Sequence, residues 1–302
     1  MINNAPLTRE RAAVLLDEIT LRLLRRDQGN FGWADALLNQ LRTPLIANGV
    51  QDFRLDEIIR FTGDSSLLSS PRTILDIGCG TAPLLHTALH QGHDAYGIDN
   101  DFEKISIAHL KTIANGFDPS WNERIILGDA TAMPFADESF DVVTSYQVLE
   151  HIPKLDAVLY EAVRVTKRGG WLVFRAPDYR MSFEPHYRIP WPQFAPEHIA
   201  ERWLMAMGRP PGGLGTFFYI TLPQIQAIVT ALGCTIRCAQ LQRVTPSGYQ
   251  DVTSPIGYER MLLRSDADIH SWALALRRNE LAGTLDPVYA TELNFVLAAQ
   301  RM

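Results

Sequence analysis

The sequence predicts an α/β fold: a doubly wound, mostly parallel sheet of seven strands, with an N-terminal helical extension and lid insertions after strands five and six. Three observations predict it. From Arg72 onward, short apolar runs alternate with segments of helical period, the rhythm of βαβ units feeding a parallel sheet. The first apolar run ends in a glycine turn, Asp76-Ile77-Gly78-Cys79-Gly80, that opens a helical segment. The second run ends in an acid, Asp99, 99 − 78 = 21 residues beyond Gly78.

The elements follow in order. Leu15, Ile19 and Leu23 recur at helical spacing, as do the stretches Trp33 to Leu41 and Leu55 to Ile59, giving a helical extension over residues 1–70. Gly63-Asp64-Ser65-Ser66 and Ser69-Ser70-Pro71 break it. Strands are expected at 73–77, 95–98, 124–127, 140–145 and 171–175, with helices at 83–91, 102–114 and 154–166 between them. Residues 178–220 are too long and too aromatic for a simple connection and read as the first insertion. A helix at 222–232 and a strand at 235–241 resume the pattern. A second insertion covers 243–287, with a helix at 266–281, and a last strand runs over 292–298. Residues 71–302 are thus expected to form one domain with two insertions.

Composition narrows the function classes. A chain of 302 residues, 46% apolar and 21% charged, has the make-up of a globular protein with a substantial core. Its net charge of −6 disfavours a nucleic-acid partner, which calls for a basic face. Acids and arginines interleave in the first 26 residues, against a signal peptide, and no apolar run is long enough to span a membrane. Cys79, Cys234 and Cys238 make neither a metal-ligand spacing nor an even set for bridges, so a cytoplasmic location is expected.

The glycine turn lets backbone approach a ligand, and the helix behind it presents free N–H groups. An acid about 20 residues on can accept from both hydroxyls of a ribose. These two features specify a nucleoside-containing ligand. A dinucleotide site would need a small residue three positions after Gly80, where this chain has Pro83.

Further motifs narrow the choice. Asp76 to Thr81 resembles the first motif of class I S-adenosylmethionine-dependent methyltransferases, and the rest of that family's motifs follow in order. Gly97-Ile98-Asp99 is similar to its acidic second strand, and Gly128-Asp129-Ala130 to its adenine-binding segment. Phe140 to Val143, followed by Val148-Leu149-Glu150-His151-Ile152, resembles its fourth strand and the loop after it. The resemblance implies S-adenosylmethionine as cofactor. It assigns Gly78, Cys79 and Gly80 to the methionine part, with Asp76 bracing the loop or meeting the ammonium. Asp99 and Asn100 fall to the ribose, Asp129 and Ala130 to the adenine, and Tyr146 and Gln147 to the region of the methyl group. Ala82 departs from the family, where many relatives carry glycine.

Methyl transfer from a sulfonium depends chiefly on alignment and on exclusion of water. Oxygen and nitrogen acceptors often need a base, and thioethers do not. His151 is the catalytic candidate; its other reading is structural, as a cap or brace of the loop. Quinone-biosynthesis relatives carry Glu-x-x-Glu-His here and can bind a divalent ion. This chain has Gln147 in place of the first carboxylate, so no metal is expected.

The first insertion is expected to hold the acceptor through Tyr179, Glu184, His186, Tyr187, Trp191, Arg209 and Tyr219, with Tyr249 and Tyr258 as weaker candidates from the second. Aromatic walls with polar groups suit a small polar or anionic molecule. A protein or RNA methyltransferase and a non-catalytic cofactor-binding protein are the competing readings. The N-terminal helices have two roles open to them, covering the cofactor or pairing subunits in a homodimer.

Overall fold

The helical period of the first residues resolves into three helices in the computed structural model, which describes residues 7–46, 51–245, 248–253, 266–284 and 292–302. Helix α1 (Arg9–Phe31) starts where the Thr8 hydroxyl accepts from the Arg11 N–H and stops at Gly32 in the left-handed region. Its Ala12, Leu16 and Leu23 pack on Ile107 and Leu110 of the later helix α5 (Phe102–Ala114). Arg22 and Arg26 add ion pairs to Glu103, and Arg26 a third to Asp101. Exposed pairs of this kind contribute about 0–1 kcal/mol each, so apolar contact sets the docking of α1. Helix α2 (Asp35–Ile46) follows, and α3 (Phe53–Thr62) is capped by Asp52.

Strand β1 (Thr73–Ile77), helix α4 (Pro83–His90), β2 (Asp94–Asp99), α5 and β3 (Ile125–Leu127) form the first half of the domain. Next come β4 (Phe140–Tyr146), α6 (Leu155–Val165) and β5 (Thr166–Pro177). The first insertion contributes a small hairpin, β6 (Phe183–Glu184) and β7 (Ile189–Pro190), and helix α7 (Glu197–Met207). After α8 (Leu222–Ala231) come β8 (Cys234–Thr245), β9 (Gly248–Val252), α9 (Asp266–Ala282) and β10 (Leu293–Arg301).

The main sheet runs β3-β2-β1-β4-β5-β10-β8-β9. Its first five strands are parallel, and β10 lies antiparallel between β5 and β8. Among the described residues the expected seven strands are therefore eight. The extra one, β9, folds back on β8 inside the segment read as insertion, pairing Thr245 with Gly248 through Leu241 with Val252. Its residues are almost wholly exposed, so no apolar alternation marked it as a strand.

Apolar clusters cover both faces of the sheet. One combines Leu75, Val143, Leu172 and Phe295 with helices α6 and α8 and with the first insertion. The other combines Ile74, Val142, Val173 and Val296 with α3, α4 and α5. Helix α3 is thus part of the domain's own core, through Leu55, Ile58 and Phe61. It is also tied by charge: Glu57 pairs with Arg175 of β5, which is 1% exposed and lies under the ring of Tyr249. In register, Ile77 of β1 faces Ile98 of β2 and Ser145 of β4, so these parallel strands end together. Open α/β sheets bind ligands at such an edge.

Candidate active site

A cavity of about 840 Å³ opens at that edge, within the range of about 300–1,000 Å³ usual for small-molecule sites. Its floor is the glycine turn. Gly78 has φ +70°, and its N–H donates to the Ile98 carbonyl at 2.7 Å. A Cβ on Gly78 would lie 2.3 Å from a methyl carbon of Val148, so the turn closes only with glycine there. Gly97 serves the same fit from β2: a Cβ on it would meet the Cys79 side chain at 2.7 Å.

Asp99 is buried at the end of β2. One carboxylate oxygen accepts from the Gly80 N–H at 2.9 Å and the other from the Asp101 N–H at 2.8 Å. These bonds orient the carboxylate, and each oxygen keeps a second acceptor position for a ligand. Asn100, Asp129, Ala130, Tyr146 and Gln147 also line the cavity, as do Gly78, Cys79 and Gly80. Asp129 is exposed, and it accepts from the Thr131 N–H at 2.8 Å, which lowers its pKa. It is therefore a turn residue in this geometry and keeps a free oxygen for a ligand.

Asp76 lies one layer behind the wall. It is wholly buried, with one oxygen taking the Thr144 hydroxyl at 3.0 Å and the other without a hydrogen bond, 3.6 Å from the Arg54 guanidinium. Burial pushes its carboxyl up to about 6, and Arg54 opposes that shift. Arg54 also donates twice to Asp52, at 2.8 Å each, and stands over the Tyr146 ring. The Tyr146 hydroxyl is buried with no hydrogen-bond partner among the described residues.

Arg54 lines the cavity beside the glycine turn, and no motif had marked it. The signal was an arginine sharing the apolar face of Ile58 and Phe61, at spacings of four and three residues. The residues present thus fit an amino-acid-bearing nucleoside. Arg54 suits a carboxylate, the carboxylate of Asp99 suits a ribose, and the glycine turn admits close approach of the chain linking them.

At the other end stand two histidines. His151 Nδ1 is 2.6 Å from the Thr216 carbonyl, and its Nε2 is 3.2 Å from Nε2 of His186. His186 Nδ1 is 2.7 Å from a carboxylate oxygen of Glu184. A carbonyl can only accept, so Nδ1 of His151 carries its proton. Burial, with His186 adding to it, pushes His151 down to about 4. Burial also acts to lower His186, but Glu184 outweighs it and the net shift is upward. Glu150, next to His151, is buried with Oε2 unpartnered, and burial pushes its carboxyl up to about 7.

Of the seven residues expected to hold the acceptor, His186 alone lines this cavity. Tyr179, Tyr187 and Trp191 are each 1% exposed and pack within the insertion. The Trp191 N–H donates to the Tyr219 hydroxyl, which donates to the Ala195 carbonyl, and the Tyr187 hydroxyl accepts from the Gly213 N–H. Glu184 is fully buried and fixes His186, Tyr187 and Tyr179 at once. Arg209 faces Glu280 of α9 at 3.6 Å. A long segment with little regular structure needs a core of its own, and these side chains supply it. Tyr249 covers Arg175, and Tyr258 lies outside the described residues.

The end of α1 supplies a wall instead. Phe31 stacks on Trp33 and His186, and the Trp33 N–H donates to the His186 carbonyl at 2.7 Å. Leu23, Arg26 and Asn30 line the same side, so the N-terminal helix covers the cavity.

Residues 75–174 match the methyltransferase domain family. The sterol 4-C-methyltransferase strm-1 of Caenorhabditis elegans is 28% identical over 229 residues, 65% of this chain and 68% of that protein. The ubiquinone biosynthesis O-methyltransferase of Paraburkholderia phymatum is 32% identical over 111 residues. That match covers 37% of this chain and 47% of that relative, so the chain spans under half its length. A phosphoethanolamine N-methyltransferase 2 of Haemonchus contortus, solved with S-adenosyl-L-methionine, covers 82% of this chain and 51% of its own at 18% identity and a TM-score of 0.49. Residues 75–174 thus form a methyltransferase domain, and it carries the motifs that resemble class I S-adenosylmethionine-dependent methyltransferases.

Proposed function

We propose that the protein transfers a methyl group from S-adenosylmethionine to a small polar metabolite held between the glycine turn and the His151–His186 wall. One observation carries this reading: a single cavity joins the nucleoside-binding residues to a histidine-lined end that α1 and the first insertion close. The cofactor supplies an electrophilic methyl group on a cationic sulfur. Asp99 and Arg54 hold its two polar ends, so that the reacting atoms are aligned before reaction. Phe31 and Trp33 exclude water and offer flat apolar surface to the acceptor. His151 stands at the acceptor end with its Nδ1 proton committed to Thr216, and its Nε2, which faces His186, is the atom it would turn toward the acceptor. Arg209 is turned to Glu280, so an anionic group on the acceptor would meet Arg26, Lys104 or Lys154 of the cavity wall instead.

The relatives support small acceptors, since two of those matched are named as a sterol 4-C-methyltransferase and a ubiquinone biosynthesis O-methyltransferase. The test is incubation with methyl-labelled S-adenosylmethionine and a fractionated cell extract, read by mass spectrometry. Label is expected in one low-mass compound. Label confined to protein or RNA would contradict the reading and favour a macromolecular substrate.

A further inference from the structure

We infer that Glu150, His151 and His186 form a binding site for one divalent first-row transition cation. The inference rests on the reading of the histidine-lined end as the acceptor side. One ligand atom from each residue lies within 4.8 Å of the others. The two Nε2 atoms are 3.2 Å apart, and Glu150 Oε1 is 3.9 Å from His151 Nε2. Metal–nitrogen bonds of about 2.0–2.1 Å at tetrahedral angles put neighbouring ligand nitrogens about 3.3 Å apart, close to the separation here. Glu150 Oε1 lies beyond that spacing, so its side chain has to move inward to complete the set.

Three features make this a built site. First, each histidine is held by its other nitrogen, His151 by the Thr216 carbonyl and His186 by the Glu184 carboxylate. Such partners behind ligating imidazoles fix the tautomer that turns a lone pair toward the metal. Second, Glu150 is 1% exposed and its Oε2 has no hydrogen-bond partner among the described residues. A buried carboxylate in that state is costly unless a cation meets it. Third, His151 and His186 both line the cavity, which leaves coordination positions facing a bound small molecule.

The donor set selects the cation. Two imidazoles and a carboxylate suit zinc, iron(II), manganese or cobalt, whereas magnesium and calcium prefer all-oxygen sites. The Glu-x-x-Glu-His run lacks its first carboxylate at Gln147. The third ligand comes instead from the first insertion, 186 − 151 = 35 residues after His151. A cation here would polarise an acceptor oxygen or nitrogen as a Lewis acid, taking over the work of a free imidazole base. It would also tie the insertion to the loop after β4.

The test uses the full chain, stripped with a chelator and titrated with Co²⁺ while its visible ligand-field bands are recorded. One Co²⁺ per chain is expected, displaced by Zn²⁺. His186→Asn keeps an N–H toward Glu184 but removes Nε2, and with Glu150→Gln it should weaken binding by about 100-fold or more. Glu184→Gln touches no cation, and loosening the His186 ring should cost about 10–100-fold. S-adenosylhomocysteine titration of each variant checks that it is folded. No saturable Co²⁺ spectrum, or equal affinity in His186→Asn, would overturn the site and leave the histidines as a proton-sharing pair. Cofactor titration is independent of either result, so failure of the cation site and failure of the methyltransferase reading are distinguishable.

Discussion

Replacing Asp99 with alanine is expected to weaken S-adenosylhomocysteine binding at least about 100-fold. A hydrogen bond to a charged group is worth roughly 1.5–3 kcal/mol, and 1.4 kcal/mol is a factor of ten. Two ribose hydroxyls on one carboxylate therefore account for a loss of that size. Asp99 also accepts from the N–H groups of Gly80 and Asp101, so its removal loosens the turn and adds to the effect. Asp99→Asn can keep one of those bonds while removing the charge, and should fall between the wild type and Asp99→Ala. Calorimetry gives the affinities and thermal melting gives the fold. Unchanged affinity in a folded Asp99→Ala protein would sink the ribose assignment.

The second large effect belongs to Gly78. Gly78→Ala places a Cβ 2.3 Å from one methyl carbon of Val148, 2.4 Å from the other and 2.8 Å from its Cβ, at φ +70°. The left-handed backbone costs an alanine about 1–2 kcal/mol, and the stiff β-branched Val148 cannot turn out of the way cheaply. Cofactor affinity should drop more than about tenfold, with a lower melting temperature. For the fold, read by thermal melting, Gly80 provides the control: φ is +56°, but among the described residues nothing lies within 4 Å of its Cβ position, so Gly80→Ala carries only the backbone cost. Adding Val148→Ala removes the two closest contacts and should recover part of the Gly78→Ala loss. Equal losses of melting temperature at Gly78 and Gly80, or no recovery at Val148, would contradict the packing account.

The contrast between these residues and the insertion shows what the sequence made legible. The glycine turn, Asp99 and Asp129 each sit at a strand end within a few residues of the features that mark them. In-register parallel strands then bring the β1, β2 and β4 ends together without further information. The aromatic insertion had no such local marker. Tyr179, Tyr187 and Trp191 look the same in sequence whether they line a cavity or fill a core, and here they fill one. Arg54 and Phe31 come from the N-terminal helices, far from any motif, and reach the cavity only because α1 and α3 pack on the domain. Gln147 weakened the local cation run, while the placing of His186 beside His151 depends on the fold of the whole insertion.

Titration of the wild-type chain with S-adenosylhomocysteine and, separately, with NAD⁺ tests the central claim most directly. Both ligands present an adenosine to Asp99, but only the first carries an amino-acid group for the Arg54 end of the cavity. Saturable one-to-one binding of S-adenosylhomocysteine, with no measurable NAD⁺ binding, is the predicted result. NAD⁺ binding without S-adenosylhomocysteine binding would contradict it.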